Sequence, residues 1–100
     1  MHNDPVLSML GIAAKSGNVV SGEFSTEKAV KTGHAYLVIV SAEASGNTKK
    51  SFCNMTDFYH VPCYCYGSKE ALGRCIGKEF RASLAVIDKG LAQAVLKKMN

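Results

Sequence analysis

Tyr36-Leu37-Val38-Ile39-Val40 is an uninterrupted apolar run of strand length, with no polar residue alternating through it. A strand half exposed to water would alternate, so this one is read as a central strand covered on both faces. Helices must therefore lie on each side of it. Working back, Gly33 stops a helix that carries Phe24, Lys28, Ala29 and Val30, opened at Ser21 or Gly22. Val19-Val20 before it reads as a very short strand. Before that, Asp4-Pro5 is an N-cap followed by proline in the first turn, and Val6, Leu10, Ala13 and Ala14 recur at helical spacing up to Lys15-Ser16-Gly17-Asn18.

Working forward, Ser45 caps a third helix in which Thr48, Phe52, Met55 and Tyr59 share a face while Lys49, Lys50 and Asp57 look outward. Val61-Pro62 breaks that helix and delivers a strand through Cys63, Cys65 and Tyr66. Ser68 caps a short helix running through Ile76, Ser83 to Ile87 forms another buried strand, and Leu91, Val95, Leu96 and Met99 line the last helix. Alternation at this spacing implies right-handed crossovers and helices on both faces of one sheet. The expected fold is α/β, a three-layer α/β/α sandwich with a four-stranded mixed sheet. No repeat, linker or low-complexity segment divides residues 1–100, which are read as one domain.

Composition narrows the function classes. Hydrophobic residues make up 47% and charged residues 20%, which suits a globular chain and excludes a disordered or fibrous one. A net charge of +4 favours polyanionic partners. No apolar run reaches the ~18 residues needed to cross a bilayer, and the first residues lack a charged-then-apolar signal pattern, so a cytoplasmic protein is expected.

The four cysteines agree with that compartment. Cys53, Cys63, Cys65 and Cys75 show no C-x-x-C spacing, and they are expected to be buried, reduced thiols acting as small hydrophobes. A strand would point Cys63 and Cys65 to one face, yet a metal site built from them with Cys53 and His60 requires a convergence that nothing in the spacing imposes. His2, His34 and His60 neighbour no acid or nucleophile pattern and are assigned no chemistry. No cofactor and no metal are expected.

The segment Leu72-Gly73-Arg74-Cys75-Ile76-Gly77-Lys78-Glu79-Phe80-Arg81-Ala82 joins a helix to a strand through a basic loop. Arg74, Lys78 and Arg81 fall close together, and Phe80 sits among them where a base could stack while the cations meet phosphate. A plainer alternative is that Gly73 and Gly77 only allow a tight helix exit, that Phe80 is core, and that the charges form a solvated rim. Lys49-Lys50 with Asn47 is read first as a solvated helix face, and Glu43 either as a cap or loop-orienting group or as an RNA contact.

Taken together, Leu10-Gly11-Ile12-Ala13-Ala14-Lys15-Ser16-Gly17, Val20-Ser21-Gly22-Glu23, Leu37 to Val40 followed by Glu43, Val61-Pro62, Gly67 to Arg74 and Gly77 resemble the kink-turn-binding ribosomal protein family, in its bacterial YlxQ-like branch. The similarity covers nearly the whole chain. It implies a non-enzymatic α/β/α protein that grips structured RNA, ribosomal or otherwise translation-linked, as a monomer with no membrane and no small-molecule substrate. In such a protein the N-terminus of the second helix meets the kink, and the loop before the last strand covers extruded nucleotides. Gly22 matches the glycine that lets the backbone approach RNA, and Lys28 matches the lysine on the second helix; Lys31 lies one turn on. Lys78, Glu79, Phe80, Arg81 and Ala82 fall on the covering loop, with Arg74 beside it. Glu79 matches a family glutamate, whereas Arg81 stands where relatives often have proline.

One departure concerns specificity. Relatives that bind kink-turns strongly place an asparagine-glutamate pair where this chain has Phe24-Ser25, between Glu23 and Lys28. Phenylalanine can neither donate nor accept the hydrogen bonds that read sheared G·A pairs, and serine is short. Glu23 adds negative charge close to the expected RNA surface. The alternative function that follows is a protein-protein adaptor on the same fold, with Phe24 as its contact.

Overall fold

The computed structural model describes residues 4–99; His2 lies outside them. Five helices and four strands follow one another as α1 (Pro5–Lys15), β1 (Val19–Ser21), α2 (Glu23–Lys31), β2 (Leu37–Val40), α3 (Gly46–Phe58), β3 (Cys63–Cys65), α4 (Lys69–Cys75), β4 (Ser83–Val86) and α5 (Lys89–Met99). Three helix starts carry the caps expected of them. Asp4 Oδ1 accepts from the amides of Val6 and Leu7, Ser45 Oγ from Thr48 and Ser68 Oγ from Ala71.

The sheet order is β1-β4-β2-β3. β4 pairs antiparallel with both β1 and β2, while β3 adds in parallel to β2, so the sheet is mixed. β2 and β4 are buried along their whole lengths, as central strands flanked on both faces must be. Leu37, Ile39, Leu84 and Val86 pack on one face with Val6 and Leu10 of α1, Leu72 of α4 and Val95 of α5. Val38, Val40 and Ala85 pack on the other with Ala29 and Val30 of α2 and Phe52 of α3. The three layers follow from period-two alternation in the strands meeting helical stripes on each side.

Three expectations need correcting. Tyr59 does not extend the α3 face: it is the C-cap and exposed, and Thr56 instead joins Phe52 as the buried pair, its hydroxyl donating to Phe52 O at 2.7 Å. Tyr36 falls just outside β2 and is exposed. The thiols are not uniformly buried. Cys53 and Cys65 are exposed and only Cys63 and Cys75 are half-buried. Cys53 sits one position round α3 from buried Phe52, and β3 is an edge strand with one side uncovered.

Candidate nucleic-acid interface

β1, β2 and β3 run in one direction and β4 in the other, so Ser21, Val40 and Cys65 end beside the start of β4. Gly22 to Ser25 and the loop residues Lys78 to Ala82 come together at this end of the sheet. Gly22 caps α2 with φ 91° and ψ 160°, a left-handed conformation that side-chain-bearing residues rarely adopt. Its own amide donates to Ser83 O at 2.9 Å, locking the turn to β4. No side chain caps α2, whose first intrahelical bond runs from Thr26 N to Gly22 O. The amides of Glu23, Phe24 and Ser25 therefore lie ahead of the first helical bond, at the positive end of the helix. A Cβ on Gly22 would meet nothing within 4 Å, so the face above it is open.

The loop 77–82 lies beside this turn. Arg81 Nε donates to Ser21 Oγ at 2.9 Å, and its Nη1 donates to Phe80 O at 2.7 Å, so the guanidinium bridges the loop and β1. Arg81 N donates to Lys69 O and Ser41 N to Ala82 O, which tie the loop to α4 and to the end of β2. Gly77, at φ 79°, turns the chain out of α4. Gly73 has a stronger role than a helix exit: a Cβ there would sit 2.6 Å from Glu79 C and 2.8 Å from Phe80 N. The loop backbone rests directly on α4, held by the bond from Lys78 N to Gly73 O at 2.8 Å. Phe80 is 58% exposed, so it is not core.

The cations divide into two groups. Lys31 pairs with Glu27 at 2.9 Å and Arg74 with Glu70 at 3.2 Å, each along its own helix. Lys28 and Lys78 are exposed and form no ion pair among the described residues. Lys31 lies at the far end of α2 from Gly22, about 13 Å away at 1.5 Å per residue, so the structure does not bring it to the turn. Glu43 is a capping group, as expected: its Oε1 accepts from Lys69 N at 3.0 Å. Phe24 is 77% exposed, so it faces outward from α2 and is not core.

Sequence reasoning missed Ser21, Ser41 and the packing role of Gly73. Ser41 Oγ donates to Gly67 O at 3.0 Å and accepts from Glu43 N at 3.0 Å, joining the loops after β2 and β3. Two glycines four residues apart on either side of a helix end were the available signal for Gly73. Among the described residues, no group of three or more His, Cys, Asp or Glu is placed to hold a metal ion. No described helix is long and apolar enough to cross a membrane.

An open glycine turn, a helix N-terminus and a basic loop seated on α4 thus share one end of a mixed sheet. Residues 4–96 match the Ribosomal protein L7Ae/L30e/S12e/Gadd45 family. The chain belongs to that family. Within reach of this L7Ae-type chain is the RNA-binding protein YlxQ of Bacillus subtilis, 37% identical over 92% of each protein. The large ribosomal subunit protein eL30 of Methanoregula boonei is 35% identical, over 78% of this chain and 79% of its own. A solved structure of a protein with unknown function from Bacillus halodurans C superposes with a TM-score of 0.94 at 34% identity, covering 97% of this chain and 98% of that one. The α/β fold with a four-stranded mixed sheet, expected from the alternation of helices and strands, is the one observed.

Proposed function

We propose that this protein binds structured RNA of the kink-turn class, ribosomal or otherwise translation-linked, in the cytoplasm, and that its residues position RNA and catalyse nothing. The observation carrying this is the juxtaposition of the uncapped α2 N-terminus at Gly22 with the loop 77–82, joined by Arg81 to Ser21. Peptide amides at a helix start attract phosphate, and the exposed ammonium groups of Lys28 and Lys78, without an ion pair among the described residues, extend that attraction along the surface. Phe80, with Glu79, Arg81 and Ala82 around it, covers bases that have left the stack. Lys31 and Arg74, already held by acids, are secondary contacts. That YlxQ and eL30 relatives are named for RNA binding and for the ribosome supports the RNA reading over the adaptor.

The test is a salt-titrated binding assay of nuclease-treated protein against a kink-turn RNA, an equal-length duplex, and the kink-turn with its G·A pairs replaced. Preference for the intact kink-turn is expected. Equal, steeply salt-dependent binding to all three would reduce the interaction to phosphate attraction and remove the specific claim.

A further inference from the structure

Phe24, Lys28 and Thr32 recur every four residues on one side of α2 and its C-cap. Together with Val20 of β1, Ile87 just past β4 and His34 they line a cleft of about 380 Å³ between α2 and the sheet edge, running about 12 Å from Phe24 to Thr32. Each wall has a distinct chemistry. The Phe24 ring is 77% exposed and forms one end. Lys28, without an ion pair among the described residues, lines the middle, and Val20 and Ile87 make an apolar floor.

At the far end the hydrogen bonds assign a tautomer. Thr32 Oγ1 donates its one proton to Lys28 O at 2.7 Å, so it must accept from His34 Nδ1, 2.8 Å away. Neutral His34 then carries its proton on Nδ1 and leaves Nε2 as an acceptor. An aromatic wall, a cation and an acceptor suit one ligand chemistry. It is a flat heterocycle bearing an amino group and a phosphate.

We propose that this cleft receives an unpaired, amino-bearing base of the bound RNA in preference to uracil, the one standard RNA base without an exocyclic amine. Phe24 stacks on the base, Lys28 meets its phosphate and His34 Nε2 accepts from its exocyclic amine. The proposal rests on the RNA reading above, and Phe24 and Ser25 are shared by the cleft and the α2 N-terminus. Charge complementarity selects a nucleotide over an apolar peptide, because Lys28 has no acidic partner among the described residues. On this assignment Phe24 does not vacate a recognition position. It replaces edge reading by stacking, which tolerates sequence but demands an unstacked base.

The experiment compares one hairpin RNA carrying an adenine, cytosine or uracil bulge, with a fully paired control and a 2-aminopurine bulge as a stacking reporter. The unaltered protein should favour adenine and cytosine bulges over uracil and should change 2-aminopurine emission. Phe24→Ala should weaken bulge binding by about tenfold without altering the salt slope, and Phe24→Tyr should restore it. His34→Ala should erase the preference over uracil while keeping the emission change. Phe24→Ala binding the bulges as tightly as the unaltered protein, with the same emission, would overturn the inference and leave RNA binding intact. Failure of the unaltered protein to bind any of these hairpins while the kink-turn RNA is still bound would overturn the inference alone, and failure to bind the kink-turn as well would overturn the RNA reading with it. Loss of a co-purified protein partner on Phe24→Ala, with RNA affinity unchanged, would reassign the cleft to a protein contact.

Discussion

The backbone of Glu79 occupies the space that a side chain on Gly73 would need: a Cβ there would lie 2.6 Å from the Glu79 carbonyl carbon. The clash is with main chain rather than a flexible side-chain tip, so neither α4 nor the loop can yield locally. Gly73→Ala is expected to destabilise the fold by about 1–3 kcal/mol as overpacking, or to lift the loop off α4. Urea unfolding separates the two outcomes. A stable variant with impaired RNA binding marks a displaced loop, and an unchanged midpoint with unchanged binding would refute the packing role.

Lys28 and Lys31 stand on the same helix in different electrostatic settings, one free and one paired with Glu27. Lys28→Ala should reduce the slope of log K against log salt by about 1 if it touches phosphate. Lys31→Ala, at the far end of α2, should change the slope less. Equal effects would show that RNA lies along the whole helix.

Asp4 both caps α1 and accepts a hydrogen bond from the Tyr66 hydroxyl at 2.5 Å. The Tyr66 bond chiefly holds the Asp4 carboxyl below its ordinary value of 3.8, partial burial opposes this, and the amides of Leu7 and Val6 add to it. A carboxyl whose pKa falls on folding stabilises the protein fully above its unfolded value and loses that contribution as pH drops through the folded one. Asp4→Asn should therefore flatten the fall in melting temperature as the pH drops through and below the ordinary carboxylate range. Parallel curves for the two proteins would remove this group from the acid transition.

Burial pushes the Cys63 and Cys75 thiols up to about 11, whereas Cys53 and Cys65 are exposed. Since the thiolate is the reacting species, alkylation at neutral pH should proceed in a fast phase at Cys53 and Cys65 and a slow one at Cys63 and Cys75. Peptide mapping after short exposure checks the order. Four equal rates in the native protein would contradict it.

Thr26 Oγ1 is buried on α2 without a hydrogen-bond partner among the described residues. Thr26→Val keeps the shape and removes the desolvated hydroxyl, so it should raise stability by about 1 kcal/mol. Denaturant unfolding measures this, and a loss of stability would mean that the hydroxyl is satisfied in solution.

The chain's local signals were sufficient for its elements. Asp4-Pro5, Ser45 and Ser68 announce helix starts through side-chain oxygens close in sequence to the amides they cap, and the apolar runs at Leu37–Val40 and Ser83–Val86 announce strands buried on both faces. Gly22 and Lys28 were legible because a backbone turn and a helical spacing are local too. The strand order β1-β4-β2-β3, the Arg81 bridge to Ser21, the seat of Glu79 on Gly73 and the division of free from paired cations were decided only by tertiary structure. Periodicity records that a face is buried, not what covers it, which is why Cys65 on the edge strand came out exposed. Whether a side chain meets solvent or a neighbour depends on contacts between residues distant in sequence, and those exist only once the layers have packed.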